Sequence, residues 1–99
     1  MEEIKKIFKH LNIGCFIEYY HIFEENKDSR NNKEIIAAFM ANNEIWTSKA
    51  CQSRASKGKK IFQKGIEIDA LRYIIDNSNS HKVSQAIVDK AKLIYSSKQ

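Results

Sequence analysis

The chain of 99 residues contains no proline and only three glycines. Sandwiches and barrels of short strands turn every few residues and use proline and glycine to do so. A chain without that punctuation is expected to be mostly helical. Its length allows one hydrophobic core and no second one. Hydrophobic residues make up 42% and charged residues 29%, a composition that excludes a disordered polyampholyte. No apolar run approaches the roughly 20 residues that a bilayer-spanning helix needs, so no membrane partner is expected. The opening Met-Glu-Glu-Ile-Lys-Lys carries charge where a secretory signal needs a basic stretch followed by an apolar one. The expected location is therefore the cytoplasm. In a reducing compartment Cys15 and Cys51, with no CxxC spacing between them, read as small buried hydrophobes and not as a disulfide.

Helical faces follow one another along the chain. Ile4, Ile7, Phe8 and Leu11 fall at i, i+3, i+4 and i+7, and that pattern stops near Asn12 to Gly14. Ile13, Phe16, Ile17, Tyr20 and Phe23 form a second face that closes in the polar stretch 24–32. Asn31-x-x-Glu34 has the form of a capping box, and Ile35, Ile36, Phe39 and Met40 are expected to be the buried stripe of the helix it opens. After Asn42-Asn43, Thr47 is a plausible N-cap, with Trp46 and Cys51 placed for a hydrophobic staple. The next helix is expected to reach about Lys64 and stop at Gly65. Ile68, Leu71, Ile74 and Ile75 mark another helix, and, after the turn 77–80, Val83, Ile87, Ala91 and Ile94 mark the last. The expectation is an all-α fold, a compact bundle of about five helices forming a single domain over residues 1–99.

The charge is distributed unevenly. Residues 47–66 hold six cations and no carboxylate, against six and eight in residues 1–46 and five and four in residues 67–99. Such a window repels itself unless a polyanion relieves it. At about 100° per residue, Ala50, Cys51, Ala55, Gly58, Ile61 and Phe62 share one arc of its helix. Lys49, Gln52, Ser53, Ser56, Lys57, Lys59, Lys60, Gln63 and Lys64 share the other, with no acidic or apolar side chain among them. Lysines neutralise phosphates, glutamine can pair with a base edge, and small serines let a helix approach a groove. Arg54 falls inside the apolar arc. Two roles stay open for it: a structural pairing with a carboxylate such as Glu18 or Glu44, or a phosphate contact.

A helix of small and apolar residues, a turn and a basic amphipathic helix, braced by a preceding helix, resembles the three-helix, homeodomain-like helix-turn-helix DNA-binding domains. The resemblance covers residues 16–65, although the turn Asn42-Asn43-Glu44-Ile45-Trp46 is longer than the tight turn of the commonest version. It implies that the second helix of the pair lies in the major groove of double-stranded DNA. Thr47, Ser48, Lys49, Gln52, Ser53 and Ser56 would then face the bases, and Lys57, Lys59, Lys60 and Lys64 would contact the backbone. The function this implies is sequence-selective DNA binding by a small transcriptional regulator. The alternative is a helical interaction module, an inhibitor or adaptor, whose basic face docks on an acidic protein surface.

Other chemistries find less support. His10, Cys15, His21, Cys51 and His81 show no recognised ligand spacing, and His21 reads as packed or half-exposed. Glu24, Glu25 and Asp28 read as a solvated cluster. A nuclease would need acidic metal ligands beside the basic face, and residues 45–66 offer none. Aromatic residues do not alternate with the basic ones, which disfavours a stacking platform for single strands. No enzyme, cofactor or metal is expected. Residues 66–99 either complete the core or meet a second copy of the chain. A homodimer presents two basic helices to two half-sites, with Leu71, Ile75, Ile87 and Ile94 as the expected interface.

Overall fold

In the computed structural model, residues 2–77 and 83–98 are described. The first apolar face becomes α1 (Glu2–Leu11), with Ile4, Ile7, Phe8 and Leu11 all buried. Asn12 ends it at φ 79° and ψ 130°. Its Oδ1 accepts from the Cys15 amide at 3.3 Å and so caps α2 (Ile13–Glu18).

The spacing predicts one helix over 13–23, whereas the structure divides it at Tyr19 (φ −111°, ψ 22°) into α2 and α3 (Tyr20–Glu25). The bend turns Tyr19 toward the far end of α4 (Lys33–Ala41). There its hydroxyl donates to Glu44 Oε2 at 2.7 Å and accepts from Asn42 Nδ2 at 3.2 Å, and its ring meets Phe39 edge-on at 4.7 Å. Phe16, Tyr20 and Phe23 stay together in the core, where Phe62 packs on both Phe16 and Tyr20.

The expected capping box does not form. Asn32, not Asn31, occupies the N-cap position of α4 and makes no side-chain cap bond. Asn31 Oδ1 accepts from the Lys33 amide at 3.0 Å, a turn of the chain two residues long. The buried stripe of α4 is Ile35 and Phe39, with Ile36 partly covered. Met40 is 69% exposed, against expectation, and borders an open surface groove with Ile36, Ala37 and Gln52.

The basic window forms α5 (Ser48–Gln63). Thr47 Oγ1 accepts from the Ala50 amide at 3.1 Å, the expected N-cap, and Cys51 Sγ lies 3.9 Å from the Trp46 carbonyl. At the other end Gly65 takes φ +68°, and Ile66 N and Gly65 N donate to Ile61 O and Phe62 O. That pairing is a Schellman ending, for which glycine is the usual residue. Asn43 (φ 59°) closes α4 in the same way, with Glu44 N on Phe39 O and Asn43 N on Met40 O.

α6 (Glu67–Asp76) and α7 (Gln85–Ser97) pack on one another, and α7 also lies on α2. Ser84 caps α7 through the Ile87 amide; the expected turn 77–80 falls from residue 78 onward outside the described residues. Leu71 is fully buried and Ile94 nearly so, in the same core as Ile4, Ile7, Phe8 and Leu11, while Ile75 and Ile87 are partly covered. Two of the four residues expected to face a second copy, Leu71 and Ile94, are thus enclosed within the chain. Leu71 and Ile94 cannot line a dimer interface of this fold, because the two C-terminal helices complete the core. Among the described residues no helix is long and apolar enough to cross a membrane.

Candidate nucleic-acid interface

α5 sits at the centre of the molecule and packs against α1, α3, α4 and α6. Its inner arc carries Cys51, Ala55, Gly58, Ile61 and Phe62, all buried. Gly58 makes the contact with α3 possible, since a Cβ there would lie 2.4 Å from the Phe23 ring. With the inner arc fixed in this way, Ser48, Lys49, Gln52, Ser53, Ser56, Lys60, Gln63 and Lys64 are exposed and Lys57 is half-buried. Thr47 stands at the exposed start of the helix with its hydroxyl committed to the cap.

One expected backbone contact is overturned, and one open role is resolved. Lys59 is only 7% exposed, and its Nζ donates to Ser29 O at 2.9 Å and Asn31 O at 3.4 Å. It lies at the edge of the polar arc, next to the buried side, and the carbonyls of the loop before α4 draw it inward. Lys59 therefore ties a loop and has no reach to a phosphate. Arg54 is structural, but not through a carboxylate: its guanidinium donates to Leu11 O at 3.0 Å and stacks 4.3 Å from the centre of the Trp46 ring. It thereby joins the end of α1 to the start of α5.

The outer arc has two unlike flanks. On one, Asn32 Nδ2 donates to Gln52 Oε1 at 2.8 Å and Ser56 Oγ at 3.1 Å, and Gln63 Nε2 donates to Lys27 O at 2.7 Å. The Asn32 bond occupies the Gln52 carbonyl oxygen and leaves its NH₂ group as the donor. On the other flank Lys57 and Lys60 share a groove of about 400 Å³ with Lys6, Lys9 and His10 of α1. Glu3 is the carboxylate at that groove, and Lys64 is hydrogen-bonded to it. That bond, aided by Lys60, holds the Glu3 carboxyl below its ordinary range.

The cations of α1 were not identified as site residues by the sequence. Lys6, Lys9 and His10 follow the i, i+3, i+4 rule on the polar side of α1, so their common face was legible. Which helix that face would adjoin was not. His21, expected to be packed or half-exposed, has 64% of its side chain exposed, and His81 lies outside the described residues. Both cysteines are free and buried, and burial pushes the Cys15 thiol up to about 12. Among the described residues no group of three or more His, Cys, Asp or Glu side chains is placed to hold a metal ion. Comparisons of the chain with models of protein families, with curated proteins and with solved structures find no match.

Proposed function

We propose that this chain is a sequence-selective double-stranded DNA-binding protein, a small transcriptional regulator without enzymatic activity, that lays the outer arc of α5 into the major groove. The observation that carries the reading is the exposed face from Lys49 to Lys64, which holds ammonium, amide and hydroxyl groups and no carboxylate of its own. Support comes also from the arrangement of α3, α4 and α5, each packed on the other two, which leaves α5 a free outer face of the kind a helix-turn-helix unit presents. Phosphate contacts give affinity and base contacts give selectivity. Here Lys49, Lys57 and Lys60 serve the first. Gln52, steadied by Asn32, serves the second with Ser53 beside it.

Binding of a fluorescent duplex, followed by anisotropy at several salt concentrations, tests this. Replacing Lys57 and Lys60 with alanine should weaken binding to every sequence and flatten the salt slope by up to about 2, near 0.9 for each phosphate left without its lysine. Gln52→Ala should instead relax preference at one or two base pairs of a selected site, by about 1 to 3 kcal/mol of discrimination. Binding to polyglutamate as tight as to duplex at equal salt would move the assignment to an acidic protein partner.

A further inference from the structure

We infer that the groove between α1 and α5 grips the phosphates of one DNA strand, so that Lys6 and Lys9 of α1 belong to the interface as much as the lysines of α5 do. The inference rests on the DNA-binding reading and adds to it a second element and a direction. A helix in the major groove has a sugar-phosphate backbone on each side. The two sides of α5 are not equivalent in this protein.

On the α1 side, Lys6, Lys9, Lys57 and Lys60 border one groove with His10, and the facing carboxylate, Glu3, is bonded to Lys64. On the other side Arg30 and Lys33 are interleaved with Asp28 and Glu34, and the polar groups of Gln52, Ser56 and Gln63 are bonded to the 27–32 loop. Phosphates are attracted to the first side and meet a near-balanced surface on the second. Four ammonium groups around one groove repel one another and hold counterions there, which a bound phosphate backbone displaces. Lys6 and Lys9 are exposed, so nothing inside the fold depends on their charge.

The experiment compares four proteins on the same duplex between 0.05 and 0.3 M salt: the natural chain, Lys6→Gln with Lys9→Gln, Lys6→Arg with Lys9→Arg, and Lys90→Gln with Lys92→Gln. The last pair removes equal charge from α7, which packs on α6 and α2. The α1 variant should flatten the salt slope by about 2 and weaken binding at 0.1 M salt about 60-fold if the proteins converge at 1 M, following 0.9 per neutralised phosphate. The α7 variant should follow the natural chain, and Lys6→Arg with Lys9→Arg should restore the slope. An α1 variant that behaves like the α7 variant, while the natural chain binds, overturns the α1 grip and leaves the α5 reading standing. A natural chain that fails to bind duplex at 0.05 M salt overturns the DNA reading and the grip with it.

Discussion

Gly58 lies in the interior of α5, where helix propensity alone recommends alanine by about 0.8 to 1 kcal/mol. The packing argues the reverse. A Cβ at this position would stand 2.4, 2.5 and 2.6 Å from three carbons of the Phe23 ring, against an ordinary contact of 3.4 Å or more. The ring would have to retreat by about 1 Å. It is fully buried, with Phe39 and Phe16 at centroid distances of 6.2 and 6.4 Å, so it has no open space to enter. Overpacking of this kind costs about 1 to 3 kcal/mol, and a clash this deep belongs to the upper part of that range. After the propensity gain, Gly58→Ala should destabilise the protein by about 1 to 2 kcal/mol.

Urea unfolding, followed by circular dichroism and by the fluorescence of Trp46, measures this directly. The melting temperature should fall by about 4 to 8 °C per kcal/mol. A second substitution isolates the cause: in a Phe23→Leu background the same Gly58→Ala change should cost nothing or gain up to about 1 kcal/mol, because the obstructing ring edge is gone. Equal cost in both backgrounds, or a single variant more stable than the natural chain, would refute the claim that α3 and α5 meet at Gly58.

Tyr19 and Tyr20 should respond oppositely to loss of the hydroxyl. Tyr19→Phe strips Glu44 and Asn42 of a partner and should cost about 1 to 2 kcal/mol, whereas Tyr20→Phe removes a buried hydroxyl without a partner and should gain up to about 1 kcal/mol; the same sign for both in urea melts would contradict this. The Cys15 thiol is raised from an ordinary 9.0 to about 12, chiefly by burial, so above pH 9 the unfolded chain loses this proton first and stability falls by about 1.4 kcal/mol per pH unit until the folded thiol titrates. Cys15→Ala should flatten that decline between pH 9 and 10, before Tyr19, also raised to about 12, adds its own; parallel curves for the two proteins would sink the assignment. Lys59→Met keeps the buried stem but frees the carbonyls of Ser29 and Asn31, and should cost about 1 to 3 kcal/mol while speeding amide exchange around residues 29–33. Unchanged exchange there would mean that Lys59 does not hold the loop.

What the sequence made legible is local. The stop at Gly65, the cap at Thr47 and the stripes of α1 and α5 depend on neighbours within a turn or two, and the structure has each of them. Both cysteines could be assigned to the interior from spacing and residue type, and both are buried. The fates of Lys59 and Lys57 depended on something else. Each borders the polar arc of α5, on opposite edges, and the helix pattern treats them alike. Loop carbonyls at Ser29 and Asn31 draw in Lys59, whereas Lys57 opens onto the groove with α1. Those partners stand about thirty and fifty residues away, respectively, in the chain. The bend at Tyr19 has the same origin, since Glu44 is 25 positions distant. Arg54 stands out in the sequence by its place in the apolar arc, yet its partners, a backbone carbonyl and an indole ring, are uncharged and leave no trace in the pattern of carboxylates.

These placements change what the basic window can deliver, and the change is measurable. Of its six cations, Arg54 and Lys59 are committed inside the fold and Lys64 is bonded to Glu3. Lys49, Lys57 and Lys60 remain for phosphates. Three neutralised phosphates give a salt slope of about −2.7, at 0.9 for each, which is a weak, largely non-specific grip for a helix acting alone. Adding Lys6 and Lys9 across the groove brings the expectation to about −4.5, a slope that α5 cannot reach without α1. On the proposed reading a monomer would be enough to hold duplex DNA on one strand while Gln52 and Ser53 address the bases, which fits C-terminal helices whose Leu71 and Ile94 are already used in the core. Anisotropy titrations of the natural chain from 0.05 to 0.3 M salt should give a slope near −4.5, with sedimentation showing one chain per short duplex. A slope near −2.7 would confine the phosphate grip to α5. One near −5.4 would mean that Lys64 leaves Glu3 on binding, and two chains on one short duplex would restore the symmetric arrangement through a surface other than Leu71 and Ile94.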